Sequence, residues 1–174
     1  MTATVRTAQA SDAEVMGQIH VRAWRAAYRG VMPDEYLDNL SDLQRAQMWA
    51  EAIQSDADAL PRRHLSVVLW DSAVVGFAAA GVESGADEQH PTGQLYAINL
   101  DPAHWGQGLG RTLLRAVTQE LRDDGYQDAV LWVVPTNTRA IGLYESERWH
   151  ADGATQVQDV LGAIVEEARF RRPL

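Results

Sequence analysis

Residues 104–111 read His-Trp-Gly-Gln-Gly-Leu-Gly-Arg and fall between a β-rich run ending at Leu100 and an amphipathic helix starting near Gly108. A helix start leaves backbone N–H groups without acceptors, and the helix dipole favours anions there. Gly106, Gly108 and Gly110 let the backbone approach a ligand closely and adopt dihedrals closed to other residues. Diphosphate is the natural occupant of such a turn. Downstream, Asn137 and Tyr144 are about two helical turns apart and project from the same helical face. A phenol with an ordinary pKa of about 10 is protonated at neutral pH, so Tyr144 can donate a proton.

Two other phosphate-binding turns fit less well. A dinucleotide fold needs G-x-G-x-x-G early in a βαβ unit and an acidic residue ending the next strand. Here the spacing is G-x-G-x-G in mid-chain, and Asp128 precedes its strand rather than ending it. A nucleotide-triphosphate loop requires Gly-Lys, and the chain contains no lysine. It has no cysteine either, which removes a thiol nucleophile, a disulfide framework and a thiolate metal site. No metal is called for.

The net charge of −9 argues against nucleic acid as a partner, which would require a basic stripe. No basic-then-apolar leader and no apolar run of membrane-spanning length is present, so the expectation is a cytoplasmic protein away from membranes. Its 174 residues, nearly half apolar, fit a single domain over 1–174.

Several elements must position the glycine turn and the tyrosine. Thr4–Ala8 alternates as a strand, and Ser11 with Glu14 has the spacing of a capping box. The helix that follows carries Val15, Met16, Ile19, Ala23 and Trp24 at helical spacing and ends by Gly30 and Pro33. Trp24 and Tyr28 lie one turn apart in it, placed to wall an acceptor pocket. Two short helices are expected at about 33–40 and 42–54, the second capped by Ser41 with Gln44, then a polar linker over 56–63. Leu65–Trp70 and Val74–Val82 read as a hairpin turning at Asp71-Ser72, and Gly93–Leu100 as the next strand after a loop. Leu109, Leu113, Leu114, Val117 and Leu121 form one helical face that Gly125 ends. A buried strand at Ala129–Val134, a helix at Asn137–Glu147 and strands at Trp149–Ala154 and Gly162–Arg171 complete a mixed α/β sheet of seven strands with helices on both faces.

The run Leu95-Tyr96-Ala97-Ile98-Asn99-Leu100-Asp101-Pro102, followed by Trp105-Gly106-Gln107-Gly108-Leu109-Gly110, resembles the acetyl-CoA signature of the GCN5-related N-acetyltransferase (GNAT) superfamily. Asn137-x-x-Ala140-x-x-x-Tyr144-Glu145 looks like its later motif, and Ala23-Trp24-x-x-x-Tyr28-x-Gly30-x-x-Pro33 is similar to a bacterial subgroup. The resemblance implies a mostly antiparallel sheet that splays between its fourth and fifth strands to admit acetyl-CoA, and direct acetyl transfer to a primary amine of a small molecule or peptide. It implies that a bulge in the fourth strand turns N–H groups of Ile98, Asn99 and Leu100 toward the thioester. It implies further that the Trp105–Arg111 turn cradles the phosphates, that Asn137 holds the pantetheine arm, and that Tyr144 is the general acid; Arg111 and Arg139 are the candidate side chains for the coenzyme's phosphates. Gln94 stands where histone-type members carry the basic Glu, with Tyr96 beside it on the acceptor side, so Glu83 or His90 is the candidate base. Two departures stand out: Trp105 replaces the usual Gln or Arg, and Arg148 replaces a Gly, which requires left-handed geometry or another cap. Arg169, Arg171 and Arg172 read as structural. A non-catalytic acyl-CoA sensor or structural dimer is the main alternative and a nicotinamide oxidoreductase the third; a homodimer stays open.

Overall fold

The computed structural model describes residues 2–56, 63–84, 91–160 and 163–174, so His90 lies outside the described residues. Seven strands form one sheet: β1 (Ala3–Thr7), β2 (His64–Trp70), β3 (Ala73–Val82), β4 (Gly93–Leu100), β5 (Asp128–Val133), β6 (His150–Val160) and β7 (Ala163–Pro173). Their order is β1-β2-β3-β4-β5-β7-β6, and every neighbouring pair is antiparallel except β4 with β5. The helices are α1 (Ala13–Tyr28), α2 (Asp34–Asp38), α3 (Asp42–Asp56), α4 (Leu109–Asp123) and α5 (Thr138–Ser146). A parallel pair needs a crossover, and α4 supplies it.

Alternation along the strands sorts the core onto two faces. Val67, Phe77 and Ala79 meet Met16 and Ile19 of α1 and Trp49 of α3 on one side. Val68, Ala78 and Ala80 meet Leu109, Leu113, Leu114, Val117 and Leu121 of α4 on the other. Gly17 makes the α1–α3 contact close: a Cβ there would stand 2.5 Å from the Ala46 backbone nitrogen.

Two local expectations change. The entry to α1 is organised by Asp12 rather than by Ser11 and Glu14. Its carboxylate accepts the Gln9 N–H at 2.7 Å and a two-pronged pair from Arg6 at 2.6 and 2.9 Å, which closes a 3₁₀ turn over Ala10–Asp12 ahead of the helix. Strand β6 is longer than the hydrophobic pattern suggests, because residues 151–159 are mostly exposed and the register with β7 shifts between Ala151 and Thr155.

The Arg148 expectation holds in its left-handed form. Arg148 has φ of 67°, its N–H donates to the Glu145 carbonyl, and the Trp149 N–H reaches back to the Tyr144 carbonyl, both at 3.0 Å. This pair of bonds is a complete Schellman motif that a glycine would normally terminate. A non-glycine residue in that conformation costs about 1–2 kcal/mol, part of which glycine returns as chain entropy. Arg148→Gly is therefore expected to raise the melting temperature by about 2–4 °C, read by scanning calorimetry. An unchanged or lower melting temperature would show the residue to be unstrained.

Candidate active site

Strands β4 and β5 pair only over Gly93–Leu95 with Ala129–Leu131, and beyond Leu95 they diverge. Asp101 donates its N–H to the Val75 carbonyl at 2.9 Å, so alternation turns the N–H and C=O groups of Ile98 and Leu100 away from β3, into the split. The bulge in β4 falls at Tyr96, two residues earlier than Ile98: the register against β3 shifts between Ala79, opposite Ala97, and Ala80, opposite Leu95. The split opens into a cleft of about 690 Å³. Ile98, Asn99 and Leu100 form its floor, the glycine turn and α5 its sides, and Trp24 and Tyr28 its far wall.

At the head of α4, Thr112 donates to the Gly108 carbonyl at 3.1 Å. The N–H groups of Leu109, Gly110 and Arg111 precede that first bond and lack an intrahelical acceptor. Gly106 and Gly108 have φ of 77° and 81°, and a Cβ on either would meet nothing within 4 Å. The turn therefore presents bare backbone donors to open space, which is what a diphosphate requires. Trp105 holds this turn in place: its indole N–H donates to the Leu100 carbonyl at 3.0 Å, while the Arg139 guanidinium lies 4.6 Å above its ring. The substitution at 105 thus replaces a polar side chain with a staple between the turn, the end of β4 and α5. Arg111 lines the same end but is paired with Glu147 at 3.1 Å. Gln107 is exposed in the turn, and its side chain stays outside the cleft wall.

Asn137 caps α5 as its sequence suggests, accepting the Ala140 N–H at 3.2 Å. Burial pushes the Tyr28 hydroxyl above its ordinary pKa, and the nearby Asn137 amide acts in the opposite sense. Tyr144 is buried on the same helix face and packs against Phe170, with ring centres 6.5 Å apart. Burial, with a smaller contribution from Tyr28, holds its hydroxyl far above the usual phenol range, so it stays protonated. Trp24 and Tyr28 meet edge to face at 5.2 Å. Tyr28, Asn137 and Tyr144 thus gather where the floor of the cleft meets its far wall.

Three sequence-derived candidates lie elsewhere. Glu83 faces Arg169 at 3.4 Å and does not line the cleft. Gln94 sits in the paired part of β4, opposite Gly81 and Val130, and Tyr96 donates its hydroxyl to the Val82 carbonyl. No carboxylate among the described residues lines the cleft. Sequence reading passed over His104, which lines it with its Nδ1 buried and unpartnered among the described residues. The only sequence signal for it is its place next to the glycine turn. No group of three or more His, Cys, Asp or Glu side chains among the described residues is arranged to hold a metal. No helix among them is long and apolar enough to cross a membrane.

The sequence model of the Acetyltransferase (GNAT) family matches residues 18–148, three quarters of the chain and every element that builds the cleft. The chain belongs to the GNAT family. It is 39% identical over 127 residues to mycothiol acetyltransferase of Kocuria rhizophila, a match covering 69% of this chain and 39% of that protein. This chain therefore spans about two fifths of the length of that relative. It is 29% identical over 148 residues to an uncharacterized N-acetyltransferase, YuaI, of Bacillus subtilis, covering 83% of this chain and 80% of the other. Among solved structures, the PaiA N-acetyltransferase of Thermoplasma acidophilum in complex with coenzyme A superposes with a TM-score of 0.73 at 18% identity over the whole of both chains. YncA of Salmonella typhimurium, solved with acetyl-CoA, gives 0.72 at 22% identity, covering 100% of this chain and 95% of that one. At those identities the likeness is one of fold, and a seven-stranded sheet with helices on both faces is the GNAT fold.

Proposed function

We propose that this GNAT domain is an acetyl-CoA-dependent N-acetyltransferase that passes an acetyl group directly to a primary amine of a small molecule or peptide. The observation that carries the reading is the split between β4 and β5 beyond Leu95, opening beside the exposed N–H groups at the head of α4. The turn from Gly106 to Arg111 would take the diphosphate, the Ile98 C=O and the Leu100 N–H the amide-rich arm, and Tyr144 the departing sulfur. Bound acetyl-CoA supplies an activated thioester. The Ile98 N–H provides a donor for charge developing on its carbonyl oxygen, and Tyr144 a proton for the leaving group. Trp24 and Tyr28 form the acceptor wall.

Glu83 would have to leave Arg169 to accept the proton from the amine, so we assign that proton to water and to the unprotonated fraction of the amine. On this reading kcat/KM rises with pH up to the pKa of the acceptor. Glu83→Gln should then cost less than about tenfold in kcat, well short of the 10²–10⁴ usual for a direct base.

The first test is thermal stabilisation by acetyl-CoA against NADH, followed by CoA release across a panel of amines. Gly108→Ala and Gly108→Val separate two effects in that assay. Both place a Cβ at φ 81°, at a cost of about 1–2 kcal/mol, but only valine extends a branched side chain into the cleft. Acetyl-CoA affinity should fall at least about tenfold further in the valine variant than in the alanine variant, corresponding to about 1.4 kcal/mol. Equal affinities would place the diphosphate elsewhere.

That no carboxylate among the described residues lines the cleft favours a second reading, a domain that binds acyl-CoA without turnover. Tight acetyl-CoA binding with no CoA release on any amine would select it. Stabilisation by NADH alone would discard both readings.

A further inference from the structure

Below the cleft, the C-terminal halves of α4 and α5 enclose a second hollow of about 490 Å³. Arg115 and Arg122 point to it from α4, Arg148 from the end of α5, and Arg172 from β7. Against four guanidinium groups stands one carboxylate, Glu147, in a chain whose overall charge is −9.

That carboxylate is already engaged. Glu147, with 7% of its side chain exposed, accepts two bonds from Arg115 at 2.8 and 2.9 Å and pairs with Arg111 at 3.1 Å. Among the described residues, the Arg122 side chain bonds only a neutral group, the Gln119 amide oxygen at 2.7 Å. The side chains of Arg148 and Arg172 make no hydrogen bond or ion pair among the described residues. The neighbouring β7 arginines are different: Arg169 pairs with Glu83 and Asp152, and Arg171 with Asp128 and Asp152. The alternation that points 169 and 171 to one face sends 172 to the other.

Helix dipoles account for part of this arrangement. The C-terminal end of each helix carries about half a negative charge, which suits Arg122 on α4 and Arg148 on α5. They do not account for Arg172, which belongs to a strand. Partial burial and the nearby Arg122, Arg148 and Arg115 make its charged form harder to hold. Arg148 moreover keeps a guanidinium where glycine would relax the backbone. Glu147 offsets only part of this charge, so three guanidinium groups that hydrogen-bond no carboxylate face one polar hollow, an arrangement that an anion between them would stabilise.

We propose that this hollow is a second ligand site, distinct from the turn at the head of α4, and that it takes a phosphate monoester between Arg122, Arg148 and Arg172. Guanidinium groups match phosphate oxygens in forked pairs, and a dianion neutralises more of the excess than a carboxylate does. Ser146 lines both hollows, so the phosphate has two sources: a free phosphoanion, or the 3′-phosphate of a coenzyme A lying in the cleft. Only the second source rests on the acetyl-CoA reading.

The test compares wild type, Arg122→Gln/Arg172→Gln and Arg148→Gly in inorganic phosphate and in sodium chloride at equal ionic strength, and then measures CoA against dephospho-CoA by calorimetry. Phosphate stabilises most proteins by exclusion from their surface, so the informative quantity is the difference between wild type and variants. The expected result is a phosphate-dependent rise of several degrees in wild type that both variants lack, with CoA binding unchanged, if the ligand is a free phosphoanion. If it is the 3′-phosphate, CoA binds wild type about tenfold tighter than dephospho-CoA, a preference the variants lose, as expected for a lost charged hydrogen bond. Arg148→Gly relieves strain, so it reports even if the double variant folds poorly. Equal responses to phosphate in all three proteins, together with an unaltered CoA preference, would overturn the proposal.

Discussion

Tyr144→Phe is expected to lower kcat by about a hundredfold or more, the usual scale for removing a positioned general acid, while acetyl-CoA affinity stays within about twofold. The variant keeps the ring that packs against Phe170 and removes only the hydroxyl, so the melting temperature should move little. Wild type should show no alkaline decline as pH passes 10, the ordinary phenol value, because burial holds Tyr144 protonated above it. The acid side of the profile should rise as the amine loses its proton, since no carboxylate among the described residues lines the cleft. Single-turnover kinetics separate the chemical step from product release. Retention of more than a third of kcat in Tyr144→Phe would remove it from the reaction and leave it as a packed tyrosine.

The parts of this site that the sequence makes legible are those governed by local rules. The apolar stripe of α4 fixes which way the helix faces, the glycines fix its head, and the spacing of Asn137 and Tyr144 fixes a shared face; each is set within about two turns of chain. Arg148 shows the same locality: the helix stop survives without glycine because two backbone bonds impose the left-handed residue. The parts that are not legible depend on partners distant in sequence. Glu83 is a plausible base until Arg169, on the last strand, pairs with it. Trp105 reads as a departure from a motif until its indole is seen to bind the end of β4 and its ring to carry Arg139. Ser11 and Glu14 carry the letters of a cap, yet Arg6 draws Asp12 into that role because a buried carboxylate needs a cation. Strand β6 hides for a different reason: its largely exposed residues lack the apolar alternation by which strands are recognised.

Acid stability should depend on His20, which sits in the apolar stripe of α1 between Met16 and Trp24. Its Nδ1 accepts the Trp49 indole N–H at 3.2 Å, so the neutral ring carries its proton on Nε2, which has no partner among the described residues. Burial, with a smaller contribution from Arg45, depresses its pKa from 6.5 to about 3. As pH falls through 6.5, the unfolded chain takes up a proton that the folded protein refuses. Stability therefore falls with pH at about 1.4 kcal/mol per unit, or about 2 kcal/mol between pH 6.5 and 5, and the loss continues toward pH 3. Asp12 and Glu147, whose folded pKa values are depressed by Arg6 and by Arg115, also remove stability in acid, but only below the ordinary carboxylate range. The interval from pH 7 to 5 lies above both carboxylates, and within it the difference between wild type and a variant isolates His20 from the other histidines. His20→Asn keeps an acceptor for the indole and cannot titrate, so in urea unfolding wild type should weaken across that interval by about 2 kcal/mol more than this variant. Parallel curves would mean that the folded protein protonates His20 with little penalty.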